Sequence, residues 1–229
     1  MKGSNIMTPR NYDIKINVHG MPQRVASGFQ NVFDKMLGAT YEFVSYLGSK
    51  KINNSTNHAL LCKQTLVTKK DITSLVLVIL NEKDDDVRGE FITLVEIKTL
   101  LSDAGLAGGY HIDPITEIPN EIREIFDKSF KNFLGATNNP FVLVATQVAN
   151  EMAYVFAVES DMIISPNAVV KSNGKSISLI KVYSNYNKVE VLSEVLEGAA
   201  PVQDNNSNNK LGYAFTWLAS DDKFTAIWP

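Results

Sequence analysis

The chain has little of what builds most recognisable sites. It contains 229 residues with one cysteine, Cys62, and three histidines, His19, His58 and His111. A single cysteine excludes an intramolecular disulfide framework, so packing alone must hold the chain together, as suits a reducing compartment. Three scattered histidines are too few to anchor a metal site. No apolar stretch approaches bilayer length; the longest runs from about Leu75 to Leu80. Neither charge sign dominates: the net charge is −3 and the isoelectric point about 5.7. Nothing therefore reads as a footprint for nucleic acid or an anionic membrane, and the weak acidity suits a soluble chain with a protein partner. Met1 to Asn5 lacks the apolar core of a secretory signal, so the expected location is cytoplasmic.

What is present is a pattern. Tyr12, Ile14, Ile16 and Val18 alternate with polar residues, the period of a half-buried strand. Val25, Phe29, Val32, Phe33, Met36 and Leu37 recur at helical spacing behind Pro22 and ahead of Gly38, predicting a helix over Pro22–Leu37. Four strands are expected to follow. Glu42–Ile52 and Ala59–Val67 flank a polar hairpin loop, Ile72–Leu80 reads as buried on both faces, and an alternating run starts at Glu90.

The same order then restarts. Pro119 lies 97 residues after Pro22, and Phe126, Phe130, Leu134, Gly135, Ala136 and Thr137 keep that offset from Phe29, Phe33, Leu37, Gly38, Ala39 and Thr40. An apolar stripe from Ile118 to Leu134 predicts the second helix. Strands are expected at Phe141–Ala149, Met152–Ile164, Ser176–Ser184 and Lys188–Leu196. An unbroken offset across a helix and both its ends reads as tandem duplication. The expected units are residues 10–103 and 108–200, followed by a polar linker and an apolar tail over residues 201–229. One economical packing is an α+β unit in which a four- to five-stranded antiparallel sheet wraps one helix, with Phe29, Phe33 and Met36, then Phe126, Phe130 and Phe133, as the two cores.

Gly108-Gly109-Tyr110, a helix ending in Leu134-Gly135-Ala136, then Thr146-Gln147-Val148 and Tyr154-Val155-Phe156, follow in order, with Leu60-Leu61-Cys62 in the first copy. Together these motifs resemble the cystatins and bacterial cystatin-like proteins in two tandem copies. It implies inhibition of papain-like cysteine proteases by a wedge formed from Gly108, Gly109, Thr146, Gln147, Val148 and Ala149, with a hairpin between the last two strands. Three departures stand against that wedge. Asn150 and Glu151 occupy the place of the family's glycine. Asn185-Tyr186-Asn187 lacks the family's Pro-Trp. Gly108 follows another unit rather than a free arm.

No catalytic constellation emerges. His58 and Cys62 would share a strand face roughly 13 Å apart, four residues at ~3.3 Å each, too far for a nucleophile and its base. Asp84-Asp85-Asp86 lacks the alternating spacing of a calcium loop, and Gly105, Gly108 and Gly109 fit no dinucleotide or phosphate loop. The chain is expected to be no enzyme and to need no cofactor or metal. Its expected role is a protein-binding or assembly module with another protein or its own copies as partner; the alternative is a papain-like protease inhibitor acting through the second copy.

Overall fold

The computed structural model describes residues 9–68, 72–84, 91–103, 108–133, 135–149, 151–162, 174–186 and 188–199. The expected tail over residues 201–229, the Asp85-Asp86 part of the acidic turn, Glu90, Gly105, Leu134, Asn150, Ile164 and Asn187 lie outside them.

In chain order the elements are β1 (Asp13–Asn17), α1 (Gln23–Phe33), β2 (Ala39–Ile52), β3 (Ser55–Leu66), β4 (Thr73–Lys83), β5 (Ile92–Ser102), β6 (Tyr110–Ile115), α2 (Asn120–Phe130), β7 (Ala136–Val148), β8 (Met152–Met162), β9 (Lys175–Tyr183) and β10 (Val189–Glu197). The strands form two five-stranded antiparallel sheets, ordered β1-β2-β3-β4-β5 and β10-β9-β8-β7-β6.

This corrects the expected α+β unit. Strand makes up 63% of the described residues and helix 13%, so the described part of the chain is predominantly β, with two short helices. The reason lies in the central strands. Leu75, Leu77 and Ile79 face one way on β4, while Val76, Val78 and Leu80 face the other, and all six are buried. A sheet wrapped over a helix would bury only the second set. The first set meets Val142, Val144, Val155, Ala157, Ile177 and Leu179 of the other sheet in the largest core, so the sheets pack against each other. The helices cover the remaining faces. Phe29 and Phe33 of α1 bury against Leu60, Cys62 and Val78, and Phe126 of α2 against Phe156, Val158 and Ile180. Met36 and Phe130 are only partly buried in these smaller cores. Phe133 stands at the edge, its ring 4.8 Å from that of Phe130.

Both helices are shorter than their apolar stripes predict. Pro22 and Pro119 sit just before the first turn and lend their carbonyls to the amides of Ala26 and Arg123, each at 2.9 Å. The chain leaves the helix after Phe33 and Phe130, and Leu37, assigned to the stripe, is 97% exposed. Gly38 and Gly135 do take the left-handed conformation expected of them (φ +95° and +97°), but they lead into β2 and β7 rather than capping a helix.

The 97-residue offset extends to irregularities that periodicity does not show. In β2 the pairing with β3 slips between Phe43 and Ser45 and between Tyr46 and Gly48; in β7 it slips against β8 between Pro140 and Val142 and between Leu143 and Ala145. Each slip leaves one extra residue: Val44, Leu47, Phe141 and Val144. All four side chains join the core between the sheets. Paired bulges bend each long strand while keeping apolar side chains inward, which is why five consecutive residues from Val44 to Gly48 are buried. The two sheets are also tied through the backbone and through one side-chain ion pair. Tyr12 and Gly198 form a parallel bridge, the Glu197 amide donates to the Pro9 carbonyl at 2.9 Å, and Arg10 pairs with Glu197 at 2.8 Å.

Candidate binding surface at one end of the second sheet

Antiparallel pairing brings the start of β6, the β7–β8 hairpin and the β9–β10 turn to the same end of the second sheet. Tyr110 pairs with Gln147 and His111 with Thr146. Val148 faces Met152 across the hairpin, and the Ala149 amide donates to the Glu151 carbonyl at 3.3 Å. The next strand is drawn in by the Ser184 amide, which donates to the Met152 carbonyl at 3.0 Å. Tyr186 then turns the chain with a left-handed backbone, and its ring lies 5.4 Å from the Lys128 ammonium of α2.

All the residues singled out in sequence, Gly108, Gly109, Thr146, Gln147, Val148 and Ala149, thus gather at this end. Their roles differ. Gly108 adopts φ +78°, and the Gln147 Nε2 donates to its carbonyl at 2.7 Å. Gln147 is therefore a clamp on the lead-in rather than a free contact. Gly108, Val148 and Ala149 are exposed, and Val148, at 62%, is the one large apolar side chain among them.

Two neighbours that sequence reasoning did not select complete the apolar tip: Met152 at 37% and Tyr186 at 45% exposure. Met152 was legible as the residue facing Val148 across a short hairpin. Tyr186 was not, because 34 residues separate it from Met152 and only the β8–β9 pairing closes that distance.

Beneath the tip lies a charged cluster. Lys181 is buried beside Glu190 at 3.4 Å, with the rings of Tyr183 and Tyr110 at 4.7 and 5.9 Å. Burial alone would pull its ammonium down. The hydrogen bond to Tyr183 and the negative potential of Tyr110 and Glu190 outweigh that and hold it above the ordinary lysine range. Burial works against the Glu190 carboxylate too, but Lys188 and Lys181 keep it below its usual range. Two ammonium groups, of Lys181 and Lys188, thus share the one Glu190 carboxylate next to the turn that presents Tyr186.

A second polar group sits in the first sheet. The buried His58 places Nδ1 3.0 Å from the Tyr46 hydroxyl and Nε2 3.0 Å from Glu82, which also holds Arg24 of α1 at 3.0 Å. Burial pulls the imidazole below its ordinary pKa, against the attraction of Glu82. A neutral ring then donates from Nε2 to the carboxylate and accepts from Tyr46 at Nδ1. Cys62 points into the helix-side core, where burial pushes its thiol far up, so it is no nucleophile. Asp84 is engaged by Lys51. Among the described residues no group of three His, Cys, Asp or Glu is placed to hold a metal ion, and no helix is long and apolar enough to cross a membrane.

Comparison of the chain with protein-family models, with characterised protein sequences and with solved structures yields no match, so its function is read from this geometry alone.

Proposed function

We propose that this chain is a non-enzymatic protein-binding or assembly module whose contact surface is the Gly108 end of the second sheet. One observation carries the reading: two segments distant in sequence, the β7–β8 hairpin and the β9–β10 turn, present exposed apolar side chains, Val148, Met152 and Tyr186, at one end of the sheet. Exposed apolar groups gathered on neighbouring turns, with charged residues such as Lys188 and Lys128 around them, have the anatomy of an interface centre and its rim. The absence of a side chain at Gly108 leaves the backbone open to close approach. The test is site-specific photocrosslinking from positions 148 and 186, with position 54 at a first-sheet turn as control. A discrete protein captured only from the first two, with capture from position 186 lost in Val148→Asp/Met152→Asp, supports the surface. Equal capture from all three positions sinks it.

A second reading, inhibition of papain-like cysteine proteases, draws on the same juxtaposition of glycine lead-in, Gln147–Ala149 hairpin and β9–β10 turn. Titration against papain-like proteases decides it. Tight inhibition abolished by Gln147→Ala/Val148→Asp would favour the inhibitor, and no inhibition at micromolar protein would remove it.

A further inference from the structure

β5 is an eleven-residue strand at the rim of the first sheet, and its outer edge has no strand partner among the described residues. Its pairing with β4 slips on either side of Val95 and of Leu100, leaving Glu96–Thr99 as the regular stretch between two bulges. Ile97 turns towards the helix-side core. Glu96 and Lys98 therefore share the opposite face, one on each side of Ile97. Neither has an ion-pair partner among the described residues, and the neighbouring Val95 is 55% exposed.

An open edge is a template for a further strand, and scattered charges usually guard it. Here the charges are arranged to be satisfied by a copy of themselves. If β5 pairs antiparallel with β5 of a second molecule about Ile97, Glu96 of each faces Lys98 of the other, giving two cross-strand ion pairs in one register. The corresponding edge strand of the second sheet has no such symmetry: pairing β10 with itself about Leu192 would set Glu190 against Glu194. We propose that two copies of this chain associate through β5 about a two-fold axis at Ile97, joining their first sheets into one continuous sheet. The contact is isologous and closes at the dimer. It does not depend on the surface at Gly108, and the substitutions that test that surface leave it intact.

The experiment is analytical ultracentrifugation of the full chain over a concentration series, at low and high salt. The wild type is expected in monomer–dimer equilibrium, weakened by salt. Lys98→Glu turns both ion pairs into Glu–Glu contacts and should raise the dimer Kd about tenfold or more. Glu96→Lys should do the same through Lys–Lys contacts. The double exchange Glu96→Lys/Lys98→Glu should restore the dimer. An equimolar mixture of the two single variants should form a heterodimer, because every cross-strand pair is again opposite in sign. Circular dichroism of each variant establishes that it is folded. A wild type that stays monomeric, a dimer indifferent to either single reversal, or an open-ended series of larger species would overturn the proposal; the last would indicate pairing of β5 with β10.

Discussion

The Gln147 side chain donates a 2.7 Å hydrogen bond to the Gly108 carbonyl, fastening the end of β7 to the residue that leads into β6. A similar tie recurs in the first sheet, where the Lys50 ammonium, 97 residues before Gln147, donates to the carbonyl of Arg10, 98 residues before Gly108, at 3.1 Å. In both places a long side chain near the end of a bulged strand holds the chain entering the neighbouring edge strand. A residue selected in sequence as a contact point is thus engaged within its own molecule, and the large apolar side chains left exposed at this end are Val148, Met152 and Tyr186.

That relationship makes Gln147→Ala informative. The hydrogen bond is exposed, so its loss should cost only about 0.5–1.5 kcal/mol in urea denaturation. Amide exchange at Gly109 and Tyr110 should accelerate more than at β8, because the clamp acts locally. Unchanged exchange at those amides would show that backbone pairing to β7 holds the lead-in unaided.

The His58 network sets an acid limb on stability. The folded-state pKa lies below the unfolded value of 6.5, because burial disfavours the imidazolium. Its contribution is therefore fully present above 6.5 and is lost as pH falls through the lower, folded value. Unfolding free energies measured from pH 8 to pH 5 should decline for the wild type by up to ~1.4 kcal/mol per pH unit from this single proton. His58→Gln should show a flatter acid limb. Equal slopes in the two proteins would assign the acid sensitivity elsewhere.

Gly28 marks where α1 lies closest to β5. A methyl group there would stand 2.2 Å from Ile92 Cγ1 and 2.3 Å from its Cβ. Gly28→Ala should therefore destabilise by about 1–3 kcal/mol through overpacking, against the usual gain in helix propensity. Adding Ile92→Ala should recover part of that loss. A stabilised Gly28→Ala protein, read as a higher melting temperature, would mean that the helix shifts freely on the sheet. The corresponding position in α2 is Ile125, which packs against the helix-side core, so the two helices sit differently on their sheets.

Much of the element order was legible because each element carries its period. The alternation of Asn11–Val18, the stripes behind Pro22 and Pro119, and the doubly buried run through Leu80 all fall on real strands or helices. Their ends were less legible: Leu37 continues the helical stripe yet is almost fully exposed, since periodicity cannot show where the backbone turns away. Pro140, a poor residue for a regular strand, lies inside β7 because it stands beside a bulge.

By itself, then, the chain's sequence determined the order of elements, the 97-residue offset and the two-sided burial of β4, because these depend on local period and on neighbours along the chain. Tertiary structure alone decided what met each face. A run such as Leu75–Leu80 needs apolar cover on both sides but does not specify its source. Packing sheet against sheet answered that, turning an expected helix-filled unit into a mostly β protein. Long-range pairing likewise brought the turn carrying Tyr186 to the Met152 end of the second sheet and set Glu82 beside His58. No spacing in the chain encodes either arrangement, because each is set by the register of strands that meet only when the sheets form.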